Sequence, residues 1–291
     1  MAISAAQVKQ LRDKTGAGFM ECKTALEEAG GDIETAITIL RKKGVATAAR
    51  KAGRVAREGV IGAHLSDDRH AGALVEVNCE TDFVAKTEQF KDLVQRLAAH
   101  IVAHRPGRVR QDEPGELAAL FSQPVHGYPG NWEQFVAEKI AQTGENIVVR
   151  RFVCYQGDYC DAYIHAGGKV GVLVELRGIE APTPALAHLA RDVAMHIAAS
   201  DPRYVRPDEV TAADLARERE IYREQALKEG KPAGIVDKIV EGKLLKFYSE
   251  VCLYEQAFIR DPNITVGKLI ASQVPGGRAA VRRFTRYRLG E

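Results

Sequence analysis

Long hydrophobic runs are missing from this sequence of 291 residues. No stretch reaches the roughly 18 consecutive apolar residues that a membrane-spanning helix requires, so we do not expect a transmembrane protein. The first residues, MAISAAQVKQL, lack the apolar core of a secretory signal peptide and the Arg- and Ser-rich composition of an organelle import peptide. We therefore expect a cytoplasmic protein that does not bind a membrane.

Cysteines are few and isolated. The five of them, at positions 22, 79, 154, 160 and 252, form no CxxC pair and have no histidine at the spacing of a metal site. Cys154 and Cys160 could face each other across a hairpin, but a reduced, structural role fits a cytosolic protein better. We expect no bound metal ion.

Catalytic and nucleotide-binding motifs are also missing. The sequence has no GxxxxGK[ST] phosphate loop, no HExxH pair and no GxSxG nucleophile elbow. Gly16 and Gly18 lie at a predicted helix break, and Gly167 and Gly168 lie in a predicted hairpin turn, so neither pair indicates a dinucleotide site. We expect neither an enzyme nor a protein with a cofactor of its own.

Basic residues are concentrated in two segments, although the net charge is only +2. Residues 41–57 contain seven Lys or Arg and no acid, and residues 278–288 are rich in arginine. The first run predicts either a solvated linker helix or a surface for an acidic partner or RNA.

Residues 1–44 have the pattern of a bundle of three short helices. Ser4 and Gln7 have the spacing of a capping box, and the sequence TGAG at 15–18 ends the first helix. Asp32 is the predicted N-cap of the third helix, which carries an apolar stripe, and Gly44 is its predicted end. Residues 45–58 then form a basic linker.

An internal repeat organises the rest of the chain. The strand sequences ALVEV at 73–77 and VLVEL at 172–176 each follow a hairpin turn and precede an amphipathic helix. His100 and His196 occupy equivalent places in these helices and are expected to be packed. The repeat predicts an α+β fold with two related halves, each an antiparallel sheet covered by a helix. Their predicted bounds are 59–140 for the first half and 141–207 with 251–291 for the second.

Three further segments have distinct patterns. Residues 208–250 predict an antiparallel helical hairpin that projects from the second half, because a charged helical segment and an apolar return helix flank the turn at 230–232. Residues 280–289 predict a final strand that completes a sheet. The proline- and glycine-rich residues 105–131 predict a loop or short insertion.

The segment EVNCETDFVAK at 76–86 marks a corner between a strand and a helix. The strand is predicted to run to about Asn78, and the helix is predicted to begin near Val84 with Thr81 or Asp82 as its cap. Phe83 lies at the corner beside an acid. It is either a plug of the core or an aromatic anchor that enters a partner's pocket.

This segment resembles the central signature of the elongation factor Ts family. Residues 11–26 resemble the family's N-terminal signature, apart from Thr24, and shorter matches follow in order at 31–34, 50–53, 144–146, 195–200 and 230–232. The resemblance covers nearly the whole chain and implies a ubiquitin-associated-like N-terminal bundle. Thr143 stands where the family usually has a larger apolar residue. Because the sequence stops soon after the final strand, we expect it to lack the extra helical module of some relatives.

The resemblance implies a guanine nucleotide exchange factor that binds elongation factor Tu, both GDP-bound and nucleotide-free. The segment implied to displace Mg²⁺ from that GTPase comprises Thr81, Asp82, Phe83 and Val84. The other implied partner contacts are Arg12, Met20, Lys51, Gly144 and His165. No direct contact with nucleic acid is expected.

Two other functions fit parts of the sequence. An RNA- or ribosome-binding protein would use the basic segments 41–57 and 278–288, although no RNP-like, KH or OB signature accompanies them. A helical adaptor for a ubiquitin-like partner would use residues 1–43 alone and leave the repeated core without a role.

Overall fold

The computed structural model describes residues 3–104, 108–110, 114–179, 181–273 and 278–291. Helices and antiparallel sheets are combined in one chain, so the predicted α+β class is confirmed. The proline- and glycine-rich segment is more ordered than predicted, because it contains strand β3 (Arg108–Arg110) and helix α6 (Pro114–Phe121). Its residues 105–107 and 111–113 lie outside the described part.

The N-terminal bundle consists of α1 (Ala5–Thr15), α2 (Phe19–Glu28) and α3 (Ile33–Lys51). The predicted caps at Ser4 and Asp32 are confirmed. The predicted end of the third helix at Gly44 is wrong, because α3 continues to Lys51, through half of the predicted linker. Gly44 is buried where α3 packs on α7 (Trp132–Thr143), and this packing offsets the cost of about 1 kcal/mol that glycine adds to a helix.

The first sheet has the strand order β1-β2-β4-β3. Its strands β1 (Glu58–Leu65) and β2 (Ala71–Cys79) form the predicted hairpin, and β4 (Val148–Gln156) pairs with the other side of β2. The predicted boundary at residue 141 would place β4 in the second half. Val149 and Phe152 of β4 instead join the core of the first half, and the backbone of β4 pairs with β2.

The second sheet repeats this arrangement with the order β5-β6-β9. Strands β5 (Tyr159–His165) and β6 (Val170–Arg177) form a hairpin, and the predicted C-terminal strand β9 (Ala280–Arg288) pairs with β6. Each half therefore has a hairpin, a covering helix and a returning strand. The covering helices are α5 (Glu88–His104) and α8 (Pro184–Ser200).

The two sheets pack face to face between these helices. Leu74 of β2 and Leu173 of β6 lie in the cluster between the sheets, whereas their sequence neighbours point to the helices. Both central strands are therefore buried on both faces, which explains their nearly continuous apolar sequences.

A buried glutamate stands at the same place in each half. Glu76 accepts from Arg151 at 2.7 Å, and Glu175 accepts from Arg283 at 2.5 Å. Both glutamates lie at an irregularity in strand pairing, between residues 76 and 77 and between 175 and 176. Neither carboxylate is exposed, so both depend on arginine to compensate the buried charge, and Glu175 also accepts from Arg282 at 2.9 Å.

The same arginines join the halves to each other. The Arg151 guanidinium lies 4.2 Å from the ring centre of Tyr287, and that of Arg283 lies 4.1 Å from the ring centre of Tyr155. Each half therefore contributes one arginine and one tyrosine in a reciprocal contact, which fixes the orientation of one sheet relative to the other.

The predicted helical hairpin is present as α9 (Ala212–Lys228) and α10 (Ala233–Val251), which share a small apolar cluster. The chain then forms a short β-ribbon, β7 (Ala257–Phe258) with β8 (Asp261–Thr265), and helix α11 (Val266–Gln273) before β9.

The two repeated histidines are packed, as predicted. His100 bonds to Gln123 at 2.7 Å and His196 bonds to Gln256 at 2.9 Å, each through Nε2. Burial lowers the pKa of both imidazoles.

Candidate protein-interaction site

The signature segment forms a short, capped helix that exposes an aromatic ring. Helix α4 (Asp82–Ala85) begins at the N-cap Thr81, whose hydroxyl accepts from the backbone N–H of Val84. Thr87 then accepts from the backbone N–H of Phe90, so α5 starts separately at Glu88. The prediction of one helix from about residue 84 is wrong for this reason.

Phe83 is 79 % exposed, because α4 turns its other face inward. Ala85 is buried and Val84 packs against the core of the first half, which leaves Phe83 pointing to solvent. The core-plug alternative is therefore wrong. A large aromatic ring held at the surface of a capped turn is typical of an anchor residue in a protein interface.

Asp82 stands beside this ring in an ion pair. Its carboxylate accepts from the Lys86 ammonium at 2.6 Å, one turn along the chain. The hydrogen bond from Lys86 lowers the pKa of Asp82, and the charge of Lys169 acts in the same direction. The carboxylate is therefore ionised at neutral pH and available to act on charged groups of a partner.

Glu145 anchors the start of this turn from across the fold. One of its carboxylate oxygens, Oε2, accepts from the backbone N–H groups of Glu80 and Thr81, at 3.1 and 2.9 Å. The other, Oε1, accepts from the Thr81 hydroxyl at 2.5 Å. Sequence reasoning missed this residue. The signal was present in the family match at 144–146, directly after α7, but nothing in the sequence indicates which segment Glu145 contacts.

His165 occupies a second exposed turn, contributed by the other half. It ends β5, and its Nδ1 lies 3.0 Å from the Tyr163 hydroxyl. This turn packs on β1, since Gly168 accepts from the Ile61 N–H at 2.9 Å and Lys169 pairs with Glu58 at 2.7 Å. Helix α4 also contacts β1, so the two turns flank the same strand.

The remaining predicted contact residues lie on or beside the N-terminal bundle. Lys51 donates a hydrogen bond to the carbonyl of Gly144, so the structure brings these two together. Arg12 is exposed on α1. Met20 is 65 % exposed and lines a cavity of about 600 Å³ between the bundle and α7.

Within the described residues, no cluster of three or more His, Cys, Asp or Glu side chains could hold a metal ion. Burial raises the pKa of Cys79 and Cys160 to about 12, so both remain protonated thiols at neutral pH.

None of the helices in the described part of the chain is both long enough and apolar enough to span a membrane.

Comparison with known proteins identifies relatives along the whole length of the chain. A family model described as "Elongation factor TS" matches residues 80–291. The Elongation factor Ts of Aquifex aeolicus is 47 % identical over 292 residues, which cover 100 % of this chain and 99 % of the relative. That of Halothermothrix orenii is 46 % identical over 293 residues, with 100 % and 93 % covered.

Proposed function

The chain belongs to the elongation factor Ts family of translation elongation factors, and we propose that it is a guanine nucleotide exchange factor for elongation factor Tu. It would bind the GDP-bound GTPase, displace Mg²⁺, promote release of GDP and leave the nucleotide-free GTPase ready for GTP. The proposal assigns the protein to the cytoplasm and gives its side chains no covalent step.

One observation carries this proposal: the exposed ring of Phe83 on a turn that the rest of the fold holds in place. In the proposed mechanism, the exchange factor inserts a side chain into its GTPase and holds it there. A rigid aromatic ring can do so with little loss of conformational entropy, because its position is set before binding.

Loss of the metal is the proposed cause of GDP release. A GTPase holds GDP through backbone N–H groups around the phosphates and through Mg²⁺ bound by Ser/Thr and Asp side chains. Phe83 would wedge between helices of the GTPase domain, with Thr81 and Val84 fixing the turn that carries it. Asp82 would perturb the groups near Mg²⁺, whose charge is the largest in such a site.

Other contacts would hold the partner while this happens. His165 would press near the phosphate loop from the second turn, beside the same strand as α4. Arg12 and Met20 would contact a helix of the GTPase domain. Lys51 and Gly144, already bonded to each other, would contribute to the same surface at the base of the bundle.

The size of the effect follows from linkage. If the factor weakens GDP binding by some ratio, GDP weakens binding of the factor by the same ratio. A coupling free energy of about 4–6 kcal/mol, expressed in the off-rate, would accelerate GDP release roughly 10³- to 10⁴-fold. Loss of the bound metal together with insertion of one aromatic ring is the proposed source of this coupling.

The RNA-binding alternative is weaker, because many cations of the two basic segments already have partners within the chain. In residues 41–57, Lys43 pairs with Glu28, Lys51 bonds to a carbonyl and Arg54 lies 3.6 Å from Glu80. In residues 278–288, the partners of the arginines include Glu175, Asp201 and Glu291. An ion pair within the chain reduces the positive charge that such a surface offers to phosphates.

Stopped-flow release of a fluorescent GDP from elongation factor Tu tests the proposal. The nucleotide is chased with unlabelled GDP at rising concentrations of this protein, and the release rate should rise roughly 10³- to 10⁴-fold at saturation. An unchanged rate with a folded protein would refute the exchange function. RNA binding with a steep dependence on salt would then favour the alternative.

A further inference from the structure

The turn that carries Phe83 is only weakly stabilised by its own residues. Helix α4 has four residues, and so short a helix is not stable by itself. Two backbone N–H groups, those of Glu80 and Thr81, lie between the end of β2 and the start of α4. Both groups donate hydrogen bonds to the carboxylate of Glu145.

Glu145 also sets the cap of the helix. The Thr81 hydroxyl donates to Glu145 and accepts from the Val84 N–H, so the carboxylate fixes the side-chain orientation in which Thr81 caps α4. Glu145 therefore fixes the position of Thr81, and Thr81 fixes the start of α4. Helix α4 in turn sets the orientation of the Phe83 ring.

Glu145 is itself held by a well-packed helix. Helix α7 is anchored by Trp132, which is 1 % exposed, and ends at Gly144 in the left-handed conformation with φ of 73°. The next residue after Glu145 returns a bond to the turn, since the Asn146 N–H donates to Glu80 at 2.6 Å. Residues 80–81 and 145–146 are thus joined by four hydrogen bonds.

The same short segment also holds the N-terminal bundle. The Asn146 side chain donates to the carbonyl of Arg54 at 2.8 Å, just beyond α3, and Gly144 accepts from Lys51. The segment 144–146 therefore lies between the bundle and the turn that bears Phe83.

We propose that Glu145 is a positioning residue for nucleotide exchange, which holds the turn at residues 80–84 so that Phe83 is presented in the orientation needed for insertion into the GTPase. The predicted effect of Glu145 on nucleotide exchange rests on the proposed function. The effect of Glu145 on the turn can be measured in the free protein. Glu145 acts through Phe83 and need not contact the partner.

Three variants test this. Glu145→Ala removes all three acceptor bonds, and Glu145→Gln keeps the size of the side chain while removing its charge. Asp158→Ala is the matched control, because Asp158 also accepts from two backbone N–H groups, those of Gly178 and Ile179. The loop that Asp158 holds, at residues 178–179, lies in the second half and carries none of the predicted contact residues.

The first measurement is amide hydrogen exchange of the free proteins. Glu145→Ala should speed exchange in residues 80–86 by about 10- to 100-fold, since hydrogen bonds to a charged acceptor are lost. Exchange in α5 should stay unchanged, and Asp158→Ala should leave residues 80–86 as in wild type. Equal protection of residues 80–86 in wild type and Glu145→Ala would overturn the proposal.

The second measurement is GDP release from elongation factor Tu. Glu145→Ala should slow it by about 10-fold or more, with Glu145→Gln intermediate. In a Phe83→Ala background, Glu145→Ala should change the rate by less than about 2-fold, because the residue through which it acts is gone. A full, additive effect in that background would contradict positioning through Phe83.

The two measurements separate two failures. If the wild-type protein does not accelerate GDP release, the proposed function fails, and hydrogen exchange still decides whether Glu145 holds the turn. If wild type accelerates release and Glu145→Ala does so equally well, the proposed function stands and the positioning role is wrong. Should Glu145→Ala not fold, Glu145→Gln provides both comparisons.

Discussion

Replacing Phe83 with alanine should leave the protein almost as stable as before. Complete burial of a Phe side chain contributes about 1.5–3 kcal/mol, so the covered fifth of this one contributes under about 0.6 kcal/mol. Phe90, at the start of α5, is 2 % exposed and serves as the matched core residue. Its replacement by alanine should cost about 3–5 kcal/mol. Thermal melting should thus shift by under about 2 °C for Phe83→Ala and on the order of 10 °C for Phe90→Ala.

The same substitution should strongly reduce exchange. A central aromatic anchor is worth about 2 kcal/mol or more in an interface, which corresponds to GDP release slowed at least about 30-fold. The assay is the fluorescent GDP chase with elongation factor Tu at matched concentrations of wild type and Phe83→Ala. Normal release with folded Phe83→Ala would refute the reasoning and move the active contact to His165. A melting temperature that collapses would show that Phe83 supports the fold after all.

Two further predictions concern the repeated core. Arg151→Met leaves Glu76 buried without its closest cation and should cost about 3 kcal/mol in urea unfolding, whereas Arg150→Met, 4.0 Å from the same carboxylate, should cost under about 1 kcal/mol. The buried His196 has a pKa below the ordinary 6.5, so the unfolded chain binds its proton more tightly and the free energy of unfolding should fall as pH decreases from about 7 to 5. His196→Asn should make the free energy of unfolding depend less on pH in this range, whereas the same change at the exposed His188 on α8 should not. Equal slopes of this free energy against pH in wild type and both variants would exclude His196 as the cause.

Local patterns in the sequence predicted the repeated elements well. The two hairpins, their covering helices and the final strand follow from apolar alternation, turn residues and amphipathic spacing, all of which act over a few neighbouring residues. The exposed position of Phe83 was one of two predicted alternatives. Spacing along the chain could not decide between them, because the direction of the ring depends on which face of α4 meets the core.

Contacts between segments that lie far apart in the sequence could not be predicted from local patterns. The continuation of α3 through Gly44 depends on packing against α7, about ninety residues later in the chain. The membership of β4 in the first sheet depends on pairing with β2. The anchoring of Thr81 by Glu145 spans 64 residues. In each case the local sequence permits several outcomes, and the tertiary partner decides among them.

The repeat also explains why the candidate site is asymmetric. Both halves place a threonine N-cap between the central strand and the covering helix, Thr81 at the start of α4 in the first half and Thr183 at the start of α8 in the second. The second link, residues 178–184, has the sequence GIEAPTP and no aromatic residue, whereas the first carries Phe83 and the extra helix α4. The second half instead contributes His165 from its hairpin turn, beside the same strand β1. A duplicated scaffold with a fixed sheet-to-sheet contact thus allows two different turns to diverge while both still contact the same strand.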